Sequence, residues 1–278
     1  DDGNYVFTTD EKSDAFIGSY DISDMSNIQE VDRIQSNPES NSVPHNTHVD
    51  GNFLITSWYR DGTVVHDISN PHNLVQVAYY DSYSGSGDGF DGCWGTYPFL
   101  PSNIIISSDI NSSSNGTARL LIYERGFSGA CFLEGNVTDG NTGSSISGVD
   151  VVILNTIMPN SSSTNLSGFY DSGNADSGSF DVVFSKIGYI SDTLQANLIN
   201  GQVVILNSIL YPDSNAIILG CMDSLATNFN PNANTSLEYG GESDNTFSSG
   251  GYYYSNWGSQ HMIFDAATDL LIKSAVFY

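Results

Sequence analysis

Basic residues are scarce in this sequence of 278 residues. It has 7 Lys and Arg against 32 Asp and Glu, which gives a formal net charge of −25. Nucleic-acid phosphates and anionic membrane surfaces are bound by clustered Lys and Arg, so we expect neither as a partner. No stretch approaches the ~20 consecutive apolar residues of a membrane-spanning helix. No signal peptide heads the sequence.

Cysteine is also scarce, with Cys93, Cys131 and Cys221 as the whole set. An odd count permits one disulfide and one remaining thiol. A bond between Cys93 and Cys131 would tie the first part of the chain to the segment that follows it. The alternative is that both are buried free cysteines.

Motifs that would indicate catalysis are missing. Gly126-Phe127-Ser128-Gly129 falls short of G-x-S-x-G, no Gly-rich segment has the Lys of a phosphate loop, and there is no H-E-x-x-H. His45, His48 and His66 are the best candidates for a zinc site, but no carboxylate is an obvious fourth ligand. The alternative is that these histidines only cap strand edges. We therefore expect no catalytic residue.

The chain does contain many short β-branched and aromatic runs between turn-forming residues, which predict an all-β protein. Residues 131–210 form the clearest unit. They contain G-x-V-T-D, I-x-G-V-x-V-x-I, G-F-Y and G-x-F-x-V-x-F-S-K-x-G-Y. This series resembles the carboxypeptidase regulatory-like (transthyretin-like) domain, which implies a non-catalytic antiparallel β-sandwich of the kind appended to enzymes, transporters and surface proteins.

Residues 1–125 contain an internal repeat. Asp21-Ile22-Ser23 recurs as Asp67-Ile68-Ser69, 46 positions later, and a weaker third copy ends near Tyr123. A period of about 40 to 50 residues with several short strands is typical of propeller blades.

Together with Val43-Pro44-His45, Ser57-Trp58-Tyr59-Arg60-Asp61-Gly62 and Trp94-Gly95-Thr96-Tyr97-Pro98, this region is similar to the LVIVD-repeat proteins of the choice-of-anchor B group. These are secreted and surface proteins of Bacteroidetes-type bacteria. The resemblance implies a partial β-propeller and type IX secretion.

The remaining residues are predicted to form a linker, 211–246, and the start of a further β-sandwich, 247–278. The linker contains C-x-D-x-x-A-x-N-F-N-P from Cys221, a motif that usually ends in a second cysteine, which is absent here. Tyr252, with Tyr253 and Tyr254, and Trp257 could stack on sugars or on a partner protein, or they could fill a sheet face. The unfinished modules at both ends lead us to expect a section of a longer protein.

Two kinds of modification or ligand site are also indicated. The oxygen-rich loops suit calcium, with Asx-type turns as the alternative; their candidate ligands are Asp88, Asp91, Asp171, Asn174 and Asp176. Thr193 and Ser224 each follow an Asp and precede an aliphatic residue, as do the acceptors of periplasmic O-glycosylation in Bacteroidetes-type bacteria.

These features favour one function. We expect a non-catalytic section of a large secreted or cell-surface protein that serves as a structural, adhesive or protein-interaction scaffold. Its expected partners are proteins, surface glycans or other surface proteins. The alternative is the accessory region of a secreted hydrolase whose catalytic domain lies outside this chain.

Overall fold

The computed structural model describes residues 3–38, 40–111, 117–158 and 161–214, and the backbone of four short strands beyond them. These residues form strands and turns and no helix, which confirms the all-β prediction for the described part of the chain. Among them, therefore, no helix has the length and hydrophobicity needed to cross a membrane. Residue contacts divide the chain into two units, Asp1–Pro212 and Asp213–Tyr278.

Three antiparallel sheets follow one another along residues 3–125. The first contains β1 (Tyr5–Thr9), β2 (Ile17–Asp21) and β3 (Gln29–Ile34). The second contains β4 (Thr47–Asp50), β5 (Phe53–Trp58), β6 (Gly62–Asp67) and β7 (Val75–Tyr80). The third contains β8 (Gly92–Tyr97), β9 (Ile105–Ile110) and β10 (Arg119–Tyr123). In each sheet, strands that follow one another in the chain lie side by side.

The repeat seen in the sequence is also a repeat of backbone hydrogen bonds. The N–H of Ile22 donates to the carbonyl oxygen of Asn4 at 2.7 Å, and that of Ile68 donates to Asn52 at 2.8 Å. The hairpin of β1 and β2 therefore corresponds to the hairpin of β5 and β6.

The Asp of each Asp-Ile-Ser motif closes a turn at the end of its strand. Asp21 Oδ1 accepts the N–H of Ser23 at 2.8 Å, and Asp67 Oδ1 accepts the N–H of Ser69 at 2.7 Å. This is the Asx-turn bond that Asp readily forms two residues on. The motif is thus repeated because it ends β2 and β6 in the same way.

The second sheet is covered on both faces, which explains why every residue of β6 is buried, including the polar Thr63, His66 and Asp67. Side chains of one face pack with the first sheet around a core of Ile17, Leu54, Trp58, Val64, Ile68 and Leu74. The other face contributes to a second core of Ile55, Val65, Val75, Val77, Ile105, Ala130 and Phe132. Consecutive sheets are therefore stacked face to face. Their arrangement as propeller blades stays a prediction.

Residues 131–210 form two facing sheets around one core. One sheet has the order β14 (Phe169–Asn174), β11 (Cys131–Asp139), β17 (Val203–Ile205), and β18 (Ser208–Leu210) also pairs with β11. The other has the order β13 (Ser161–Ser163), β12 (Asp150–Ile153), β15 (Gly178–Ser185), β16 (Asp192–Leu198). Leu133, Val151, Tyr170 and Phe184 are among the buried residues between them.

The prediction of a purely antiparallel sandwich is wrong in one respect. Both β17 and β18 run parallel to β11. The reason is that the chain crosses from β16 in one sheet to β17 in the other, and it then lies along the free edge of β11 in the same direction. The sandwich is therefore mixed.

The sandwich packs directly against the second sheet within the unit Asp1–Pro212. Phe132 shares a core with Val75, and the amide of Asn73 donates to the carbonyl oxygen of Ser172 at 2.8 Å. Gly173 lies so close to the second sheet that a Cβ there would come 2.4 Å from Val75 Cγ2.

The predicted disulfide between Cys93 and Cys131 is not formed, and the alternative of two buried free cysteines is what the structure shows. Cys93 lies beside the hydroxyl of Thr63, 3.4 Å from its Sγ, whereas Cys131 belongs to the sandwich core. Burial raises the pKa of both thiols to about 11, so they are protonated and unreactive at neutral pH.

Beyond residue 214, the structure describes the backbone of four short strands. Leu219–Gly220 pairs with Thr235–Ser236 in parallel, and Tyr252–Asn256 pairs with Ser259–Ile263 in antiparallel fashion. The Cys221 motif and Trp257 lie outside the described residues.

Candidate functional site

A row of exposed aromatic rings lies along β8 and its flanking loops. Phe90, Trp94, Tyr97 and Phe99 expose 56%, 51%, 46% and 46% of their surface. Isolated exposed apolar side chains are ordinary, whereas several exposed rings close together in the chain are typical of a binding surface. We call these four residues, with His45 and His48, the aromatic–histidine face.

A β-bulge explains why β8 exposes these rings. Cys93 pairs with Asp109 and Gly95 pairs with Ser108, so Trp94 is an extra residue without a partner on β9. A bulge of this kind re-aims the side chain that it contains. Trp94 therefore lies outside, while Cys93 on the same strand is fully buried.

Gly92 allows β8 to approach the end of β5 closely. Its φ is +90°, and a Cβ there would lie 2.3 Å from the carbonyl oxygen of Tyr59. The same carbonyl accepts the N–H of Cys93 at 2.7 Å. Only glycine satisfies both conditions, and Trp94 is thereby held next to Tyr59.

His45 lies next to both Trp94 and a carboxylate. Its ring is nearly parallel to that of Trp94, with centroids 6.2 Å apart, and its Nδ1–H donates to the Trp94 carbonyl oxygen. Its Nε2 lies 3.5 Å from Glu11 Oε1, which also accepts the Tyr59 hydroxyl at 2.6 Å. Burial, followed by the bond to Glu11, raises the pKa of Tyr59.

His48 contacts the other two exposed rings near the end of β8. Its ring meets those of Tyr97 and Phe99 edge-on, with centroids 6.4 and 5.7 Å away. Tyr97 and Phe99 are themselves edge to face at 5.5 Å. The rings thus support one another and present preformed apolar surfaces beside imidazole and carboxylate groups that can hydrogen-bond to a ligand.

The three candidate zinc ligands do not converge. His45 and His48 belong to the aromatic–histidine face, whereas His66 is fully buried on β6. Within the described ranges no group of three His, Cys, Asp or Glu side chains is arranged to hold a metal ion. The sequence could not show this, because it does not reveal which sheet face each histidine occupies.

In the first predicted calcium loop, an arginine side chain already neutralises one of the candidate carboxylates. Asp91 Oδ2 accepts the guanidinium of Arg60 at 2.8 Å, and Asn111 donates to Asp91 Oδ1 at 3.1 Å. The bond with Arg60 is the largest cause that lowers the pKa of Asp91. Asp88 lies exposed in the same loop.

The second predicted calcium loop is largely a strand. Asp171 and Asn174 lie on β14, three positions apart, so their side chains leave opposite faces of the sheet. The Asn174 amide donates to the carbonyl oxygen of Asp176 at 2.9 Å. Calcium binding by this chain stays a prediction.

Asp171 instead lines a cleft of about 390 Å³ between the sandwich and the first two sheets, opposite Asp32. Asp32 accepts the N–H of Leu74 at 2.6 Å and that of Arg33 at 2.7 Å. Burial, reinforced by the charge of Asp171, nevertheless raises the pKa of Asp32 to about 6, and burial also raises the pKa of Asp171.

We expect Asp32→Asn to change the pH dependence of stability. The folded-state pKa of Asp32 lies above the ordinary value of 3.8, so this carboxyl stabilises the fold most below pH 3.8 and loses that contribution as the pH rises through 6. The free energy of unfolding of Asp32→Asn relative to wild type should therefore rise by about 1–3 kcal/mol between pH 4 and pH 8. Urea unfolding at both pH values measures this.

Asp88→Asn, at an exposed loop position, is the control and should show no such change. Equal differences between Asp32→Asn and wild type at the two pH values would contradict the assignment.

Of the two predicted O-glycosylation sites, the structure describes Thr193. Thr193 is exposed on β16, and the preceding Asp192 accepts the hydroxyl of Ser208 at 2.9 Å. Ser224 lies outside the described residues. Modification of either residue stays a prediction.

No family model matches this chain, and no curated protein matches it. Among solved structures, the minor pilin GBS52 of Streptococcus agalactiae is similar over 44% of this chain and 65% of its own, with 14% identity and a TM-score of 0.26. The matched part is thus less than two thirds of that pilin. The pilus 2b backbone protein of group B streptococcus is similar over 76% of this chain and 99% of its own, with 10% identity and a TM-score of 0.26.

BcpA, the major pilin subunit of Bacillus cereus, is similar over 75% of this chain and 71% of its own, with 10% identity and a TM-score of 0.27. All of these scores are low.

Proposed function

We propose that this chain is a non-catalytic section of a larger secreted or cell-surface protein, and that it acts as an adhesive or protein-interaction scaffold. The observation that carries the proposal is the aromatic–histidine face. Four rings remain exposed there although each is braced by a neighbouring ring. Keeping apolar surface in water has no benefit for folding, so a ligand is its best explanation.

The chemistry of the face fits a sugar or a protein surface. Aromatic residues are enriched at the centres of protein interfaces, and a flat ring can also pack on the apolar face of a pyranose. Glu11 and His45 supply a hydrogen-bonding group beside the rings. With a net charge of −25, nucleic acid is an unsuitable partner.

We further propose that the three stacked sheets are blades of an LVIVD-type propeller, and that residues 131–210 are a carboxypeptidase regulatory-like spacer attached to it. The repeated hydrogen bonds at Ile22 and Ile68 support the blades. The shared core at Phe132 supports a rigid attachment of the spacer. In this proposal the three sheets and the spacer hold the aromatic–histidine face in place, and this face binds the ligand.

The proposal is tested by a binding screen. Glycan and extracellular-protein arrays are probed with wild type and with the double variant Trp94→Ala/Tyr97→Ala. We expect a defined set of ligands for wild type and at least a tenfold loss of affinity for the double variant, because central aromatic residues commonly contribute about 2 kcal/mol or more each.

The matched control is Leu166→Ala/Ile187→Ala, which removes two side chains of the sandwich that are 93% and 84% exposed. It should bind as wild type does. Arrays that stay blank for wild type, or ligands bound equally by all three proteins, would contradict the proposal.

A further inference from the structure

Three buried polar side chains lie in the core between the first two sheets. Ser19 on β2 and His66 on β6 are fully buried, and Trp58 at the end of β5 is 1% exposed. Side chains two positions apart share a sheet face, so Ser19 faces the same way as Ile17, and His66 the same way as Val64. Ile17, Val64 and Trp58 all belong to that core.

None of these polar groups has a hydrogen-bond partner among the described residues. The unpartnered atoms are Ser19 Oγ, Trp58 Nε1 and both ring nitrogens of His66. Burial alone lowers the pKa of His66 to about 3, so its ring is neutral at pH 7, with one donor and one acceptor. Buried polar atoms are almost always hydrogen-bonded in native proteins, to the protein or to ordered water.

The interface between the second and third sheets has a longer side chain at the position equivalent to His66. The sequence repeat aligns His66 with Tyr123 in the third sheet. The hydroxyl of Tyr123 reaches the preceding sheet and lies 3.4 Å from Thr63 Oγ1. An imidazole is shorter than a phenol, so His66 needs an intermediary to reach the preceding sheet.

We propose that His66, Trp58 and Ser19 bind an internal water molecule between the first two sheets. The indole N–H donates to the water, a nitrogen of His66 accepts from it, and the Ser19 hydroxyl completes its hydrogen bonds. The rings of Trp58 and His66 are inclined at 50° with centroids 6.3 Å apart. These two side chains are thus neighbours in the core, and a bridging water can join polar atoms up to about 6 Å apart.

The chemistry of the site favours water over an ion. A cation in this apolar core would have no counter-charge, since the three side chains are neutral. An anion would have to leave its hydration shell beside a neutral ring, among apolar residues such as Leu54 and Val64. A buried water with about three protein partners is an ordinary structural component.

Water–protein NMR on the folded wild-type chain tests the proposal. The indole proton of Trp58 should show cross-peaks with water that have opposite signs in NOE and ROE spectra, which marks a long-lived water and excludes proton exchange. Trp94, which is 51% exposed, is the internal control and should not show this pair of signs. Folded wild-type protein without the cross-peaks at Trp58 would overturn the proposal.

A second measurement assigns the role of His66. His66→Phe should lose the Trp58 cross-peaks if it folds, and their persistence in folded His66→Phe would overturn the assignment of His66 as a ligand. If His66→Phe does not fold, the isosteric Ser19→Ala takes its place. We expect at least a twofold weaker cross-peak for Ser19→Ala, and unchanged intensity would overturn the assignment of Ser19.

Discussion

Asp67→Ala is expected to lower the free energy of unfolding of Asp1–Pro212 by about 2–4 kcal/mol. Asp67 is 1% exposed. Its Oδ2 accepts the N–H of Ala130 at 2.6 Å and its Oδ1 accepts that of Ser69. Alanine would leave the buried amide of Ala130 without a partner where the three sheets join the sandwich. Urea unfolding measures the loss.

The repeat provides a matched control for this effect. Asp21→Ala removes the equivalent turn bond, to Ser23, but that turn is exposed. Water can replace the lost acceptor there, so we expect a loss of only about 0.5–1 kcal/mol. Equal losses for the two variants would show that Asp67 does not connect the three sheets to the sandwich.

Gly62→Ala is expected to have the second large effect, a loss of about 3 kcal/mol or more. Gly62 begins β6 with a φ of +86°, and a Cβ there would lie 2.1 Å from the carbonyl oxygen of Tyr80. The neighbouring strand cannot yield, because its backbone is paired with β6. Thermal unfolding followed by circular dichroism measures the change.

Gly51→Ala separates backbone strain from collision. Gly51 has a φ of +60°, but a Cβ there meets nothing within 4 Å. Only the left-handed conformation is penalised in this variant, and the expected loss is about 1 kcal/mol. A loss for Gly62→Ala no larger than that for Gly51→Ala would contradict the close packing of β6 and β7.

The repeated sheets could be predicted from the sequence because the turn that ends each repeat is local. An Asp two residues before a backbone N–H forms its bond within the motif, so Asp21 and Asp67 identify the ends of β2 and β6 without knowledge of the rest of the fold. The sandwich strands were predictable for a similar reason, since their β-branched runs are bounded by turn residues.

The features that the sequence did not reveal depend on contacts between distant segments. The bulge that exposes Trp94 exists only in the pairing of β8 with β9. Gly173 made β14 resemble a loop, yet the glycine is there because Val75 of another sheet lies against it. The burial of His66 likewise depends on the first sheet, which covers it. These long-range contacts determined which candidate residues share a site.

Calorimetric titration of the strongest ligand from the arrays tests whether that ligand binds to the aromatic–histidine face. Wild type and the fold-matched variants Trp94→Ala and Leu166→Ala are titrated at the same pH and salt concentration. We predict that Trp94→Ala raises the dissociation constant by about tenfold or more, while Leu166→Ala leaves it unchanged. An unchanged dissociation constant for folded Trp94→Ala would contradict the claim.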